Sequence, residues 1–312
     1  MDETSCQLVS SRGLLKSCDK RNRDPQSSSR HIDQDLLKDL KDGDTVHICS
    51  WLTITRFVKE FVPRLTKRVI MVTNDSDMDA PICDKPTGPG DTIAKEEIRN
   101  FIDSDLCIHW FTQNCTIDHP KVSPIPIGLD YHTFWTQTNS PQEQEHSLIN
   151  IVKQRGLIDL RTKDLKDQRM LKCYANFHFS IYNKYYTQER IDCINQVARD
   201  CVDFERSYLD RKQCWNTMMQ YIFILSPAGM GLDCHRTWEA IALGCIPVLR
   251  RMGLAYERIY DDLPVLWVDK WSDINKELLI KTVEDFNTRQ FKMEKLKLEY
   301  WVNEINSKKI NL

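Results

Sequence analysis

The segment that most constrains the fold runs from Tyr221 to Leu249. It begins with the apolar run Tyr221–Leu225, which is typical of a fully buried strand, and continues through a loop with two glycines into a helix. The apolar run Ile246–Leu249 then predicts a second strand. A strand, a helix and another strand form a βαβ unit, and such units build parallel sheets. Because open α/β sheets bind ligands at the carboxyl ends of their strands, the glycine loop is the first place to look for a site.

The same alternation covers most of the chain, in two series separated by a polar stretch over 136–168. The predicted strands of the first series are Thr45–Trp51, Arg68–Val72, Leu106–Phe111 and Val122–Leu129. Those of the second series are Met170–Phe177, Tyr221–Leu225, Ile246–Leu249 and Pro264–Val268. The chain has 312 residues, which is long for one domain and sufficient for two. We therefore predict an α/β protein with two Rossmann-like domains that face each other across a cleft.

The composition changes along the chain predict four regions. Residues 1–30 are polar and predict a flexible tail. We expect an N-terminal domain over 31–165 and a C-terminal domain over 166–287. The spacing of apolar residues over 32–40 predicts a helix that Gly43 ends. A last helix within 288–312 is expected, long enough to fold back on the first domain.

The overall charge excludes one broad class of partner. Lys and Arg total 43 against 45 Asp and Glu, a formal charge of −2, so nothing in bulk attracts the chain to nucleic acid or an anionic membrane. No apolar run approaches the roughly 20 residues that cross a bilayer, and no signal peptide is evident, so we expect a cytoplasmic protein. The twelve cysteines lack any CxxC pair, which favours reduced thiols.

The loop between the two central strands carries an electrostatic anomaly. Gly229 and Gly231 allow a ligand to approach the backbone closely, and Asp233 has the residue type of a helix N-cap. His235 and Arg236 would then lie in the first helical turn. Cations at a helix N-terminus cost about 0.3–1 kcal/mol each unless an anion is bound there. The loop therefore favours a local anion site.

A bound diphosphate would remove this anomaly, because free N–H groups and the Arg236 guanidinium would converge on it. Glu239, one turn further, would accept hydroxyls of a ribose. The alternative is an intrahelical Arg236–Glu239 ion pair on a solvated face, and the spacing alone does not decide between them. Neither GxxxxGK[ST] nor GxGxxG is present, so the common phosphate-binding motifs do not describe this loop.

The spacing of residues in this segment resembles the donor-site signature of exostosin-like glycosyltransferases. The matching residues are Phe223, Leu225, Pro227, Gly229, Asp233, Arg236, Glu239, Ala240, Gly244, Cys245, Pro247 and Val248. The resemblance is strong over 220–270 and thin in the first half. It implies a GT-B fold in which the domain over 31–165 binds the acceptor and the domain over 166–287 binds a nucleotide-sugar donor. Arg236 would then lie at the diphosphate and Glu239 at the ribose. It also implies inversion at the anomeric carbon, and the chain is similar to the compact, soluble members of microbes and viruses.

An inverting transfer needs a general base on the acceptor side. Asp75 and Asp77 follow a predicted buried strand and are the candidates; the alternative interpretation is a turn cap. Asp-Ser-Asp also resembles the metal-binding DxD of GT-A transferases, which gives a metal-dependent alternative. A second cation for the diphosphate is expected at Arg190, which repeats the anomaly of Arg236 in the first turn of another predicted helix, with Lys184 as the next choice. Ser226 would bind the diphosphate or only shape the turn with Pro227.

We therefore predict an inverting GT-B glycosyltransferase that moves a sugar from a UDP-sugar to a hydroxyl of an oligosaccharide or other glycan. No metal or other cofactor is obligatory in this prediction, and nucleic acid is not a partner. The alternatives are a nucleotide-sugar-binding protein without turnover, the metal-dependent transferase above, and an epimerase or phosphorylase built on the same fold.

Overall fold

The protein is described by a computed structural model over residues 3–23, 29–49, 51–83, 94–131, 140–154, 169–178 and 186–309. The predicted domain boundary at 165/166 and the candidate Lys184 lie outside the described residues. No helix in these ranges is long and apolar enough to cross a bilayer. All twelve cysteines are free thiols, and only Cys214 and Cys234 are more than slightly exposed.

The first half of the chain forms a four-stranded parallel sheet. Its strands are β1 (Asp44–Cys49), β2 (Val69–Asn74), β3 (Cys107–Thr112) and β4 (Val122–Pro124), and they lie in sequence order. The helices of this half are α1 (Ser11–Lys16), α2 (Trp51–Glu60), α3 (Lys95–Asp103) and α4 (Pro141–Gln154). Every residue of β2 is buried, as expected for a parallel strand that is covered on both faces.

The second half forms a five-stranded parallel sheet. Its strands are β5 (Met170–Ala175), β6 (Val202–Phe204), β7 (Tyr221–Leu225), β8 (Ile246–Arg250) and β9 (Leu266–Val268). The helices are α5 (Thr187–Gln196), α6 (Arg211–Met218), α7 (His235–Ala242), α8 (Lys276–Phe286) and α9 (Leu298–Ser307). The strand order is β6-β5-β7-β8-β9, so the chain reverses its direction across the sheet between β5 and β7. The predicted fold class, α/β with two parallel sheets, is confirmed.

The two halves share a core. One continuous cluster of buried apolar side chains includes Met71 and Trp110 from the first half and Ile224 and Trp238 from the second. A smaller cluster, with Phe223 and Trp271, fills the other face of the second sheet. Since a packed interior is not easily deformed, the shared cluster fixes the relative position of the sheets near β7 and α7.

The prediction of a flexible tail over residues 1–30 is wrong for residues 3–23. Val9, Leu14 and Leu15 are fully buried, and the Ser10 side chain caps α1 by accepting from the Gly13 N–H. The Val9 carbonyl accepts from the Leu129 N–H at 2.7 Å. These few apolar residues are too sparse to show a period in the sequence, yet each one fills a place in the core.

Two predicted helices also differ from the structure. The run 34–39 forms turns instead of a helix: Leu36 and Lys38 donate to carbonyls three residues earlier, and Asp39 ends the run with a left-handed backbone at φ 53°. The C-terminal helix begins only at Leu298, as α9. Around it, Leu8 forms an antiparallel bridge with Lys297, and Lys309 bonds the Asp19 carboxylate at 2.6 Å, so this end of the chain packs on the N-terminal segment.

Candidate functional site: an arginine pair at the switch of the second sheet

The loops that follow β2, β3 and β7 meet where the two halves adjoin. Asn114, after β3, donates to the Ser76 carbonyl in its own half at 3.2 Å and accepts from the Asp233 N–H of the second half at 2.9 Å. A Cβ atom at Gly231 would lie 2.7 Å from Asn114 Nδ2 and 2.8 Å from the Asp77 carbonyl oxygen. The glycine loop of the second half therefore lies directly against the aspartate loop of the first, and only glycine fits at 231.

Arg190 and Arg236 come together beside the same loop. Arg236 donates to the Pro227 carbonyl at 2.9 Å, and Arg190 donates to the carbonyls of Ala228 at 3.2 Å and His178 at 2.8 Å. Both guanidinium groups lie over the ring of Phe177, at 5.3 Å for Arg236 and 5.6 Å for Arg190. The two predicted diphosphate ligands are 46 positions apart in the chain, yet both pack on the same aromatic ring.

Neither arginine has a carboxylate partner among the described residues. The Nε of Arg236 is buried and has no hydrogen-bond partner there. Burial, and after it the positive charge of Arg236, lower the pKa of Arg190 to about 10. Two like charges in a half-buried position are unfavourable unless an anion neutralises them, and planar guanidinium groups match phosphate oxygens in a bidentate manner.

The position of the pair agrees with a general rule for open α/β sheets. Phe177 follows β5, and the loop over 226–234 follows β7, so the pair stands at the carboxyl ends of the two strands between which the chain reverses. Ligands bind at such switch points. Gly229 is part of the same arrangement, because a Cβ atom there would lie 2.7 Å from Arg190 Nη2.

A cavity of about 200 Å³ lies beside Phe177. It is lined by Asn176, Phe177, His178, Glu205, Arg206, Ser207, Tyr208, Leu209 and Cys214, which belong to the ends of β5 and β6 and the start of α6. Tyr208 is 75% exposed at this site. The cavity and the arginine pair share Phe177 and His178, so one extended ligand can occupy both.

The structure separates the two aspartates that the sequence left equivalent. Asp75 is 4% exposed, has a left-handed backbone with φ 60°, and its Oδ1 lies 3.5 Å from the Ser11 hydroxyl. Asp77 is exposed, yet the surrounding protein desolvates its carboxyl and raises its pKa, while the charge of His235 lowers it. Of the two aspartates, only Asp77 is exposed, and it belongs to the half opposite the arginine pair. The described residues contain no group of three His, Cys, Asp or Glu side chains placed to hold a metal ion.

Asp233 is not the N-cap of α7. Cys234 occupies that position and makes no side-chain cap bond. The Asp233 carboxylate is 2% exposed and accepts from the Ile127 N–H at 2.7 Å, from Trp238 Nε1 at 2.9 Å and from the Tyr260 hydroxyl. Burial raises its pKa to about 6, against the effect of these hydrogen bonds. The carboxylate binds the Ile127 N–H of the first half instead of the helix end. A contact between positions so far apart in the chain cannot be predicted from a local sequence pattern.

Two further predicted donor ligands also have partners within the protein. Ser226 Oγ lies 2.7 Å from Thr237 Oγ1, and His235 Nδ1 lies 2.7 Å from the Gly128 carbonyl of the first half. Both side chains are therefore engaged in joining the glycine loop and α7 to their surroundings. Pro227 contributes through its carbonyl, which holds Arg236.

Glu239 does not pair with Arg236 among the described contacts. Desolvation raises the pKa of the half-buried Glu239 carboxyl, and the nearby charge of Arg211 opposes this shift. Arg211 itself crosses between the halves, with its Nη2 2.7 Å from the Asp130 carboxylate and its Nη1 2.6 Å from Gln144 Oε1. Arg211 is not among the residues predicted from the sequence, although a cation directly after the helix N-cap Asp210 is the same anomaly that indicated Arg236.

No protein-family model matches this chain, and no curated protein does. Solved structures resemble it at low identity. The E. coli trehalose-6-phosphate protein bound with UDP-2-fluoro glucose has 12% identity and a TM-score of 0.37, over 88% of this chain and 72% of the other. The α,α-trehalose 6-phosphate synthase of Burkholderia multivorans has 10% identity and a TM-score of 0.40, over 87% and 72%.

WaaG, a glycosyltransferase involved in lipopolysaccharide biosynthesis, has 10% identity and a TM-score of 0.30, over 83% of this chain and 99% of its own. Likenesses at this level do not identify a family. The resemblance to exostosin-like enzymes therefore stays a prediction, and the roles of individual residues must be argued from their contacts.

Proposed function

We propose that this protein is an inverting glycosyltransferase that moves a sugar from a UDP-sugar to a hydroxyl group of a glycan. One observation carries the proposal: Arg190 and Arg236, two half-buried cations without a carboxylate partner in the described chain, meet over Phe177 beside a glycine loop at the switch point of a parallel sheet. This arrangement is suited to a ligand with two adjacent negative groups, and a diphosphate is such a ligand.

The arginine pair would act most strongly on the leaving group. When the bond between the sugar and the diphosphate breaks, negative charge grows on the departing phosphate. Fixed cations that stabilise this charge lower the barrier, since they need little reorganisation during the reaction. Arg190 and Arg236 would supply two positive charges at that point. A divalent cation stabilises the same negative charge in metal-dependent enzymes. We therefore propose that no metal is obligatory.

The nucleoside would occupy the cavity beside Phe177. That cavity adjoins the arginine pair and has an exposed aromatic side chain, Tyr208, on which a base can stack. Glu239, on the same helix as Arg236, would accept the ribose hydroxyls. The choice of UDP over other nucleotides follows the resemblance noted in the sequence.

Asp77 would be the general base, because its carboxyl is exposed and comes from the half opposite the donor. The acceptor hydroxyl attacks the anomeric carbon from the side opposite the diphosphate, and its proton passes to Asp77. A new glycosidic bond forms as the bond to the diphosphate breaks, and the electron pair leaves with UDP. One displacement of this kind inverts the anomeric centre. The raised pKa of Asp77 makes it a better proton acceptor than an ordinary aspartate near neutral pH.

The metal-dependent alternative requires Asp75 and Asp77 to hold one cation together. Asp75 is buried and lies beside Ser11, so it would have to leave this place to share a ligand with the exposed Asp77. This observation favours the metal-independent reaction. Asp75 is better explained as part of the packing between the N-terminal segment and β2.

Calorimetric titration with UDP, GDP and CDP, followed by product analysis with the corresponding sugars, tests the proposal. We expect UDP to bind and the enzyme to release UDP in step with glycoside formation. Turnover should be lost in Asp77→Asn while UDP binding persists. UDP binding without any turnover would instead indicate a binding protein, and consumption of the donor without glycoside formation would indicate an epimerase or a phosphorylase. Failure to bind any nucleotide would refute the proposal.

A further inference from the structure

Asp233 lies between the two halves and touches both of them. From the first half, the Ile127 N–H donates to its Oδ2 at 2.7 Å. From the second half, Trp238 Nε1 donates to Oδ1 at 2.9 Å and to Oδ2 at 3.1 Å, and the Tyr260 hydroxyl donates to Oδ1. Its own N–H donates to Asn114 Oδ1 in the first half at 2.9 Å. One residue thus makes hydrogen bonds to the first half through both its backbone and its side chain.

The place of Asp233 in the chain gives these bonds a consequence. It stands between Gly231, which touches the Asp77 carbonyl, and the first turn of α7, which carries Arg236. Trp238 and Tyr260, which hold the carboxylate, are themselves fully buried and stacked at 5.5 Å. The carboxylate therefore connects a buried aromatic pair, one member of which belongs to α7, to the backbone at Ile127. Any shift of α7 relative to the first half has to break a buried hydrogen bond.

We propose that Asp233 is a positioning residue that fixes the arginine site on α7 against the aspartate loop of the first half, and that it is not a ligand of the donor. The inference rests on the proposed function for its catalytic consequence, but its structural part does not. Three donors use both oxygens of a 2% exposed carboxylate, and these contacts leave it nothing to offer a bound nucleotide.

The proposal separates donor binding from turnover. Arg190 and Arg236 are held by carbonyl groups of the second half, so we expect them to remain in place when Asp233 is altered. The distance between them and Asp77 depends on the contacts across the interface. Loss of the Asp233 carboxylate should therefore misplace the donor relative to the base without weakening the grip on the diphosphate, and misplacement by about 1 Å costs on the order of a hundredfold in rate.

Hydrogen exchange measured by mass spectrometry tests the structural part without any ligand. In Asp233→Ala, we expect exchange at least tenfold faster both in the peptide that spans 122–131 and in the one that spans 234–242. Asp233→Asn keeps an oxygen that can accept from Ile127, so it should restore most of the protection. The matched control is Glu189→Gln, since Glu189 is a buried carboxylate that accepts from Trp271 Nε1 at 3.1 Å and from Arg250 within the second half. It should leave 122–131 unchanged.

Kinetics and binding test the functional part. For Asp233→Ala we expect kcat to fall at least tenfold while the Kd for UDP stays within about threefold of the wild-type value. If the Kd rises as much as kcat falls, Asp233 is a donor ligand and the proposal is wrong. It is also wrong if exchange in 122–131 does not change in the folded alanine variant.

If Asp233→Ala does not fold, Tyr260→Phe carries the test, because it removes one donor and leaves the carboxylate in place. Faster exchange in both peptides is expected, and faster exchange confined to the second half would overturn the proposal. A wild-type protein that binds no nucleotide would refute the proposed function, whereas the exchange result would still stand or fall by itself.

Discussion

Replacement of Arg236 by alanine should weaken UDP binding far more than it changes the fold. The guanidinium would make charge-assisted hydrogen bonds to the diphosphate, and such bonds contribute about 1.5–3 kcal/mol. The expected rise in the Kd for UDP is therefore about 10- to 150-fold. Arg236→Lys keeps the charge but loses the planar fork, so we expect an intermediate affinity.

The unliganded protein should change little in stability. Arg236→Ala removes a half-buried hydrogen bond to the Pro227 carbonyl, worth about 1 kcal/mol, and a contact with the Phe177 ring, worth about 0.5–1 kcal/mol. Against this loss, the variant relieves the repulsion that lowers the pKa of Arg190. The net effect on the free energy of unfolding should stay below about 2 kcal/mol, which corresponds to a shift in Tm of at most a few degrees.

Isothermal titration calorimetry with UDP and thermal unfolding without ligand measure the two quantities separately. Arg258→Ala is the control, because Arg258 forms an exposed ion pair with Asp118 at 2.7 Å and lies outside the site. Its Kd for UDP should equal that of the wild type. An Arg236→Ala protein that binds UDP as tightly as the wild type would refute the assignment of the anion site. A variant that is unfolded without ligand would contradict the expected small change in stability.

Three other outcomes are expected. Gly231→Ala should destabilise the protein by about 1–3 kcal/mol in denaturant unfolding, because the new Cβ would lie 2.8 Å from the Asp77 backbone. In Gly229→Ala the new Cβ would lie 2.7 Å from the movable end of Arg190, so UDP affinity should fall with little loss of stability. Equal losses of stability in the two variants would contradict this difference. In pH–rate measurements, kcat/KM should fall as the pH drops through the raised pKa of Asp77, and Asp77→Asn should lose about 10²–10⁴ in rate with no such limb remaining. The pKa of Asp233 is raised from 3.8 to about 6, so the folded protein binds this proton more tightly than the unfolded chain does. The free energy of unfolding should therefore decrease by on the order of 3 kcal/mol as the pH rises from about 4 through 6. Asp233→Asn should remove that part of the pH dependence of unfolding, and an unchanged profile would contradict the buried, titrating carboxylate.

Local patterns in the sequence predicted four of the five strands of the second sheet. The missed strand is β6, whose three residues are too few to form a recognisable apolar run. The run Tyr221–Leu225 is β7, and the helix and strand after it are α7 and β8, within a few residues of their predicted bounds. Hydrophobic runs and glycines report such elements because the signal lies within some 30 residues. Arg190 and Arg236 were each predicted from the same local anomaly, a cation in the first turn of a helix, and the structure brings them to one ring.

Contacts between distant parts of the chain could not be predicted in this way. Asp233 has the residue type of a helix N-cap, but its carboxylate accepts a hydrogen bond from the N–H of Ile127, 106 positions earlier. The segment over residues 3–23 is polar on average, yet it pairs at Leu8 with Lys297 near the other end of the chain. A pattern within a short window of sequence carries no information on contacts between residues so far apart. The packing of the two halves determines these contacts.

A crystal structure of the protein with UDP shows whether the arginine pair is the diphosphate site. We expect the two phosphates between Arg190 and Arg236, with guanidinium nitrogens about 2.7–2.9 Å from phosphate oxygens, and the base in the cavity beside Tyr208. A nucleotide bound elsewhere, or an arginine pair that stays without phosphate at saturating UDP, would contradict it.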